Sequence, residues 1–297
     1  MLNIEERRIW TVSSLLRWGT DRLKEKEIGS QRITIELLLA HVLRCKRLDL
    51  YTGLNKPLSQ SEVTRFNILL DRRLSREPVH YILGETEFMG LSFVVDGRVL
   101  IPRPETEVLV EQAVKITQDV AHESPILVLD IGTGCGNVAV GLAKLVQRVT
   151  VTATDVSRAA LEVAKINVER HGVGDRVHLM EHDVFGSVDE LVRTPFDMIL
   201  SNPPYISSEE ASALPAEILR FEPREAVLEG GDGLSFYRRI RELAVLLMKK
   251  GGWVLVETAY NQGPAVKSIF SDAGFQGVEL IRDYDGNDRV VKAQRGS

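Results

Sequence analysis

The sequence predicts an α/β protein whose main part is a parallel, doubly wound sheet, preceded by a small all-helical domain and a β-hairpin linker. From Ser124 onward, short apolar runs alternate with stretches whose apolar residues recur at helical spacing. This alternation is typical of strands joined by crossover helices. A glycine-rich turn also follows the first apolar run, where such a sheet commonly binds a ligand. We therefore divide the chain into residues 1–75, 76–104 and 105–297.

The first 75 residues show helical spacing without the alternation of a strand. Ser30 and Ser59 precede the second and third long apolar stretches and are expected to be helix N-caps. Gly53 and Pro57 mark a loop between these helices. The apolar positions at helical spacing are Ile9, Val12, Leu15, Leu16, Ile35, Leu38, Leu39, Val42 and Leu43.

The pattern changes after Arg76. Residues 87–95 predict two short strands around a turn at Gly90. The segment then reaches Ile101-Pro102-Arg103-Pro104, whose prolines favour an extended chain followed by a helix that begins near Glu105. Residues 76–104 are interpreted as the hairpin linker.

The remaining chain predicts strands and helices in alternation. Strands are predicted at 126–130, 149–154, 177–180, 196–201, 253–257, 277–281 and 289–293. Helices are predicted up to residue 146 and at 157–171, 234–249 and 263–273, with a long loop after residue 205. Such alternation indicates a parallel sheet with right-handed crossovers.

Length and composition exclude several classes of protein. The 297 residues are 44% hydrophobic and 27% charged, which is ordinary for a globular protein. No run approaches the roughly 18 apolar residues of a membrane span, and the segment Met1–Trp10 lacks the apolar core of a signal peptide. Cys45 and Cys135 lie in unrelated segments and offer neither a disulfide framework nor metal-ligand spacing. A reducing, cytoplasmic setting is expected.

The charge is distributed unevenly. The net charge of −5 argues against a protein that mainly grips duplex nucleic acid, so no stable nucleic-acid complex is expected. Residues 1–85 contain 15 lysines and arginines against 11 aspartates and glutamates, a net of +4, which leaves −9 on the remainder. A basic N-terminal part can meet an acidic partner or RNA. A solvated helical surface explains the same charge and is favoured on charge alone.

A glycine-rich segment, residues 127–136, joins the first predicted strand to its helix. It has the pattern G-x-G-x-G with Asp130 in front. Glycine admits positive φ and lets a ligand approach the main chain. The dinucleotide fingerprint needs a third glycine where Asn137 stands. An acidic residue at Asp130 suits a cationic amino group better than a pyrophosphate. The pattern resembles the first motif of class I methyltransferases, so S-adenosylmethionine is the expected cofactor.

Acidic residues also follow the next two predicted strands. Asp155 can accept hydrogen bonds from both hydroxyls of a ribose, and capping the helix predicted from Ser157 is the alternative. Asp183 can accept from the amino group of adenine beside Val184 and Phe185, and capping a following helix is the alternative. The residues at the ends of four successive strands are Asp130, Asp155, Asp183 and Asn202. Such ends form the ligand crevice of a doubly wound sheet.

The tetrapeptide Asn202-Pro203-Pro204-Tyr205 follows a buried predicted strand and is the most specific signal in the chain. Two prolines there cost ladder hydrogen bonds, although a rigid turn leaving the sheet is a structural alternative. The Asn202 oxygen and the Pro203 carbonyl can each accept one hydrogen of a target NH₂ and so orient its lone pair. Pro204 stiffens the backbone, and Tyr205 can lie over a planar target. Methyl transfer to a planar amide or amine nitrogen, driven by positioning, is expected.

With these motifs, essentially the whole chain resembles the HemK/PrmC family of protein-(glutamine-N5) methyltransferases, which modify class-1 peptide chain release factors. Further matching segments are residues 99–107, Arg220-Phe221-Glu222-Pro223 and residues 229–234. The resemblance implies a class I S-adenosylmethionine-dependent methyltransferase with a Rossmann-like sheet, and an N-terminal domain that contacts the release factor. The implied substrate is the glutamine of the Gly-Gly-Gln tripeptide. A cytoplasmic monomer with no metal and no membrane attachment is expected.

The motifs and the resemblance together assign the site residues. Expected catalytic residues are Asn202, Pro203 and Tyr205. Expected cofactor-binding residues are Asp130, Gly132, Thr133, Gly134, Cys135, Gly136, Asp155, Asp183, Val184 and Asn202. Expected substrate-binding residues are Arg103, Pro104, Glu105, Asn202, Pro203, Pro204 and Tyr205. No metal ligand is assigned.

The chain departs from the family pattern at two places, and alternatives remain. Cys135 stands where the family often has serine and is interpreted as a small filler. Residues 257–260 lack the usual glycine two positions after the glutamate, so no role is assigned to that loop.

Adenine-N6 nucleic-acid methyltransferases and a sibling family acting on a ribosomal-protein glutamine share the Asn-Pro-Pro-Tyr motif. No basic insertion follows residue 206, and residues 101–107 and 220–223 favour the release-factor enzymes. A non-catalytic module that retains the fold is the last alternative.

Overall fold

The computed structural model describes residues 9–119, 125–189, 191–192 and 195–296. The chain divides into two compact units, Met1–Gly84 and Glu85–Ser297. This division falls between the limits at 75 and 104 set from the sequence, and a recognition role for the N-terminal domain stays a prediction. Among the described residues, no helix is both long and apolar enough to cross a membrane.

The N-terminal unit is helical, as the spacing of its apolar residues predicts. Its helices are α1 (Val12–Glu25), α2 (Gln31–Leu43), α3 (Asp49–Thr52), α4 (Gln60–Leu74) and α5 (Val79–Leu83). Ser59 forms a capping box with Glu62 at the start of α4, whereas Ser30 is left-handed (φ 52°) and makes no side-chain cap bond. A Cβ at Gly19 would lie 2.9 Å from the Ile35 side chain, so glycine permits the close approach of α1 and α2.

The second unit begins with the predicted hairpin. Strands β1 (Glu85–Phe88) and β2 (Leu91–Val94) are antiparallel. Asn167 attaches the hairpin to a later helix of the same unit, because its side chain accepts from the Val94 N–H (2.7 Å) and donates to the Val94 carbonyl (3.0 Å). A 3-10 turn, Pro104–Thr106, then leads into α6 (Glu107–Asp119).

A seven-stranded sheet forms the centre of this unit. Its strands are β3 (Ile126–Ile131), β4 (Val149–Asp155), β5 (Val177–Glu181), β6 (Phe196–Ser201), β7 (Met248–Glu257), β8 (Gln276–Arg282) and β9 (Asp288–Gln294). The helices that follow α6 are α7 (Asn137–Leu145), α8 (Arg158–His171), α9 (Ala216–Phe221), α10 (Arg224–Val227), α11 (Ser235–Leu247) and α12 (Gly263–Ser271). The strand order is β5-β4-β3-β6-β7-β9-β8, and β3 to β7 are parallel.

Three details differ from the sequence-based expectation. Strand β9 is antiparallel to both of its neighbours, because the turn after β8 is too short for a crossover helix. Strand β7 begins five residues earlier than predicted, since Gly251 and Gly252 interrupt its apolar pattern. The long loop after residue 205 contains a 3-10 turn, Glu210–Ala213, and the short helices α9 and α10. The 3-10 turn and the two short helices have no buried residue, so they lack the apolar periodicity by which a helix is predicted from sequence.

The sheet has alternating faces that decide where the site residues point. Leu129 and Ile131 of β3 pack in one core cluster with Tyr237 of α11 and Phe270 of α12. Successive side chains of a strand point to opposite faces. Asp130 therefore points to the other face of the sheet, where α7 lies against the neighbouring strands.

Candidate active site

The four polar residues expected at the strand ends do lie at one edge of the sheet. Asp130 is the penultimate residue of β3, Asp155 ends β4, and Asn202 directly follows β6. Asp183 lies two residues beyond the end of β5. The chain connections change direction at β3, which has β4 on one side and β6 on the other. This is the switch point at which doubly wound sheets bind ligands.

The glycine loop between β3 and α7 depends on three residues with positive φ. Gly132, Gly134 and Gly136 have φ of 72°, 55° and 83°, which residues with a side chain rarely adopt. The N–H groups of Gly132 and Thr133 donate to the Thr154 carbonyl (2.9 and 2.8 Å), which anchors the loop on β4. A Cβ at Gly132 or Gly134 would meet no heavy atom within 4 Å. The backbone there borders open space that a ligand can occupy.

Asp130 is a fully buried carboxylate beneath this loop. The Thr133 hydroxyl donates to its Oδ2 at 2.7 Å. Burial, with a smaller contribution from the charge of Asp155, raises the pKa of Asp130 to about 7. Among the described residues it has a neutral donor and no paired cation, so it is a favourable place for a positively charged group of a ligand.

Asp155 ties the loop to the start of α8. Its Oδ2 accepts from the Gly134 N–H (2.8 Å) and its Oδ1 from the Ser157 N–H (2.9 Å). The N-cap of α8 is Ser157, whose hydroxyl accepts from the Ala160 N–H, and not Asp155. Burial raises the pKa of Asp155. Each carboxylate oxygen keeps a lone pair for a further donor.

Asp183 stabilises a tight turn beyond β5. Its Oδ1 accepts from the Phe185 N–H at 2.9 Å, and no helix follows it within residues 184–189. The carboxylate is exposed, Val184 is buried, and Phe185 packs edge to face on Phe236 with ring centroids 4.9 Å apart. The turn thus places a carboxylate beside apolar and aromatic surface.

Asn202 projects from the end of β6 and is held from one side. The preceding Ser201 hydroxyl donates to the Ile131 carbonyl (2.8 Å), which ties this chain end to β3. The Asn202 side-chain Nδ2 donates to the Thr106 hydroxyl at 3.1 Å. Its Oδ1 accepts no hydrogen bond from the part of the chain that the structure describes. The oxygen is therefore available to a ligand.

The turn that carries Tyr205 is fixed by residues outside the tetrapeptide. The Gln262 amide donates to the Tyr205 carbonyl at 2.9 Å. A Cβ at Gly233 would come within 2.8 Å of that carbonyl oxygen and 2.5 Å of Gln262 Nε2, so only glycine fits there. Burial raises the pKa of Tyr205 to about 12, with a further contribution from the charge of Glu257. The phenol is neutral near pH 7.

Segments 119 residues apart meet in an ion pair between Arg103 and Glu222. One guanidinium nitrogen, Nη2, lies 2.6 and 2.8 Å from the two oxygens of the Glu222 carboxylate, which is almost completely buried. Pro104 and Glu105 belong to the 3-10 turn that follows Arg103. The pair joins two of the segments that carry the family resemblance.

Three cavities meet at Asn202, which lines each of them. The large cleft has an empty volume of about 860 Å³, which includes space open to solvent. Its lining includes Gly132, Gly134, Asp155, Asp183, Val184 and Asn202. The side cavity is lined by residues that include Thr106, Asp130, Thr133, Gly134, Cys135 and Asn202. The third cavity, named the substrate pocket for the role that the sequence predicts, is lined by residues that include Arg103, Asn202, Pro203, Pro204, Tyr205 and Ile218.

Most of the expected site residues are thus brought together, and a few are not. Gly136, Pro104 and Glu105 line none of the three cavities. Gly136 is instead the N-cap of α7, and a Cβ added there would lie 3.4 Å from the Cβ of Ala164. The Cys135 side chain is buried, and burial raises the pKa of its thiol to about 12. Among the described residues, no group of three His, Cys, Asp or Glu side chains is arranged to hold a metal ion.

Two residues of the site are missed by sequence reasoning, Thr106 and Glu257. Thr106 binds Asn202 across 96 positions, and nothing in the local sequence announces that contact. Glu257 is buried at the end of β7, and burial raises the pKa of its carboxyl to about 7, although the nearby Thr106 hydroxyl favours the charged form. It follows the pattern of an acidic residue at a strand end that identifies Asp130 and Asp155, so a signal was available.

Comparison with known proteins identifies the family. The family model for the PrmC N-terminal domain matches residues 14–84, and the one for the methyltransferase small domain matches residues 106–234. A release factor glutamine methyltransferase of Geobacter sulfurreducens is 41% identical over 292 residues, which cover 98% of this chain and 99% of that protein. The chain belongs to the release factor glutamine methyltransferase family.

Further comparisons agree with this membership. The family member of Rhodopirellula baltica is 38% identical over 96% of this chain and 97% of its own length. A methyltransferase structure from Pyrococcus furiosus is 20% identical and covers 79% of this chain and 99% of its own, with a TM-score of 0.51, which concerns the fold alone. The predicted family and the predicted class I methyltransferase fold are confirmed.

Proposed function

We propose that this protein transfers the methyl group of S-adenosylmethionine to the side-chain amide nitrogen (N5) of a glutamine in a class-1 peptide chain release factor. The observation that carries the proposal is Asn202, whose free side-chain oxygen lies where the large cleft, the side cavity and the substrate pocket meet. Relatives of the same length are named for release factors, which favours that substrate over a ribosomal protein. The family resemblance points to the glutamine of Gly-Gly-Gln.

The large cleft and the side cavity fit the cofactor in chemical terms. Asp155 would accept from ribose hydroxyls, and Asp183 with Val184 would hold the adenine. The open backbone at Gly132 and Gly134 leaves room for the part of the cofactor between its ribose and its amino-acid end. The buried Asp130 would face the ammonium group of that amino acid. When bound, S-adenosylmethionine supplies a methyl group on a positively charged sulfur, which is electrophilic without further activation.

The substrate pocket fits a primary amide at its inner end. An amide nitrogen is a weak nucleophile because its lone pair is delocalised into the carbonyl. The Asn202 oxygen and the Pro203 carbonyl would each accept one N–H of the glutamine and fix the direction of that lone pair. The neutral Tyr205 ring would lie against the planar amide. Pre-positioning of this kind is a large source of rate enhancement.

Mass spectrometry of a full-length release factor after incubation with the protein and cofactor tests the proposal. We expect one added methyl group on the glutamine of Gly-Gly-Gln, and none when that glutamine is replaced by glutamate. The Asn202→Ala enzyme should add far less in the same time. A shift assay and a methyl-transfer assay on DNA and RNA provide the comparison with the adenine-N6 alternative. Methylation of a ribosomal protein or of adenine, with none on the release factor, would contradict the proposal.

A further inference from the structure

Glu257 lies beside Asn202 but on the neighbouring strand. In the parallel register of β6 and β7, Val256 is paired with Ser201, so the next residues of the two strands stand side by side. The backbone of Glu257 is held in place, because the Tyr237 hydroxyl donates to its carbonyl at 3.0 Å. The side chain of Glu257 is buried, and its Oε2 has no hydrogen-bond partner among the described residues.

Thr106 connects the two side chains. Its hydroxyl lies 3.1 Å from Asn202 Nδ2. The same hydroxyl is near enough to the Glu257 carboxyl to favour the charged form of that group, as a donor would. A hydroxyl has a single hydrogen to donate, and an ionised carboxylate can only accept. While Glu257 is ionised, the Thr106 hydrogen is therefore expected to point to Glu257, which leaves a lone pair of the hydroxyl for Asn202. The group that faces Thr106 is then the Asn202 NH₂, and the oxygen faces the cavities.

We propose that Glu257 acts through Thr106 as a positioning residue, which locks the Asn202 amide with its oxygen toward the substrate nitrogen. This inference rests on the proposed function, since the orientation matters only if Asn202 accepts from an NH₂ group. The terminal torsion of asparagine is broad and roughly two-fold, so the amide has no strong preference of its own. Turned over, it would point an NH₂ at the NH₂ of the glutamine, and one of the two acceptors would be lost.

Other charged or titratable groups that influence the Glu257 carboxyl are Arg289, Arg103, Glu105, Tyr205 and Tyr237. The Arg289 guanidinium is paired with Asp283 at 3.1 Å, so it keeps a partner when Glu257 is replaced. Burying a carboxylate that lacks a charged partner is costly, and replacement by an apolar residue of similar size removes that cost. Variants of Glu257 are therefore expected to fold.

Steady-state kinetics of Thr106 variants, assayed well above pH 7 so that Glu257 is ionised, give the first test. We expect Thr106→Val to lower kcat about 10- to 100-fold, with a much smaller change in cofactor affinity. Thr106→Ser, which keeps the hydroxyl, should restore most of the activity. Thr117→Val is the matched control, because Thr117 is equally buried, lies on α6 and donates within that helix. An equal kcat for Thr106→Val and Thr117→Val would overturn the inference.

A double-mutant cycle shows whether Glu257 acts through Thr106. Glu257→Leu should lower kcat alone, and Glu257→Gln should lower it less, because the Gln oxygen can still accept. In the Thr106→Val background, Glu257→Leu should cause no further loss, since residues that act in one chain are not additive. Fully additive losses would mean that Glu257 acts elsewhere and would overturn the relay.

A measurement that needs no substrate separates this inference from the proposed function. In ¹⁵N-labelled protein, the side-chain NH₂ signal that disappears in Asn202→Ala reports the contact with Thr106. We expect that signal to be protected from solvent exchange in the wild type and in Thr106→Ser, and to lose protection in Thr106→Val and Glu257→Leu. An unchanged signal in Thr106→Val sinks the inference even if the wild type methylates release factors. The expected change in a protein that methylates none sinks only the proposed function.

Discussion

At the scale of single residues, Asp130 is a group whose charge depends on pH near neutrality. Burial raises its pKa to about 7, so in the free protein the carboxyl is mostly protonated below that pH and ionised above it. Only the ionised form can pair with an ammonium group. The affinity for S-adenosylmethionine should therefore rise as the pH increases through about 7. Calorimetric titrations at several pH values measure this, and Asp130→Asn should weaken binding and flatten the dependence. A wild-type affinity that falls with rising pH would contradict it.

Asp155 and Ser157 allow cofactor binding to be separated from helix capping. Asp155→Ala should weaken S-adenosylmethionine binding by about 1.5–3 kcal/mol, the range for hydrogen bonds to a charged group. Ser157→Ala removes the actual cap of α8 and should lower the free energy of unfolding by about 1 kcal/mol with little effect on affinity. Calorimetry and thermal melting of both variants give the comparison. The reverse pattern would show that Asp155 serves the helix rather than the ligand.

Asn202→Ala tests the acceptor at the meeting point of the cavities. The variant should bind the cofactor within a modest factor of the wild type. Its kcat and kcat/KM should fall together by about 100-fold or more, because the lost hydrogen bond acts chiefly in the transition state. Kinetics with a release factor at saturating cofactor measure both constants. Turnover close to that of the wild type would show that this amide does not orient the substrate.

At the scale of elements, the ion pair between Arg103 and Glu222 fastens the segment before α6 to the end of α9. Arg103→Ala leaves the nearly buried Glu222 carboxylate without its cation, which typically costs about 3–5 kcal/mol. Glu222→Gln removes the buried charge itself and should cost less. Denaturant unfolding of the two variants compares them. Equal destabilisation would mean that the charge is better solvated than its burial suggests.

Elements with a strong periodic signal could be predicted from the sequence, and contacts across the sheet could not. Strands β3 to β6 and the glycine loop follow from apolar runs and turn residues close together in the chain. The contact of Thr106 with Asn202 depends on the approach of the 3-10 turn to β6 in space, which no local pattern encodes. The reversed direction of β9 depends on a turn too short for a helix. The sequence predicts β9 as a strand, but it does not predict which strands β9 pairs with.

At the scale of the whole molecule, we expect one unit to recognise the release factor and the other to transfer the methyl group. The PrmC N-terminal domain match, residues 14–84, falls within the first unit. A glutamine side chain is too small to distinguish a release factor from other proteins, so recognition needs surface away from Tyr205. The N-terminal unit is the candidate surface, because it packs separately and the net charge over residues 1–85 is +4.

Residues 85–297 alone should still bind the cofactor but should methylate a full-length release factor much less efficiently. The loss should appear mainly in kcat/KM, because distant contacts supply the binding energy that delivers the substrate. Weak activity on a short Gly-Gly-Gln peptide should be little changed, and this peptide is the control for the chemical step. Equal kcat/KM for both proteins on the intact release factor would assign the N-terminal unit another role, such as stabilisation.

The position of β9 between β7 and β8 has a consequence for the nascent chain. The residues of β9 are synthesised after both of its neighbours, yet β8 pairs with no other strand in the described part of the chain. Until then, β7 presents an open edge of unpaired N–H and C=O groups, the kind of edge that invites association with other chains. Glu257, which lies beside Asn202, pairs with Val290 of β9. This side of the site is therefore complete only after β9 has been added to the sheet. A ribosome-bound chain that stops after β8 should therefore be prone to aggregation and dependent on chaperones.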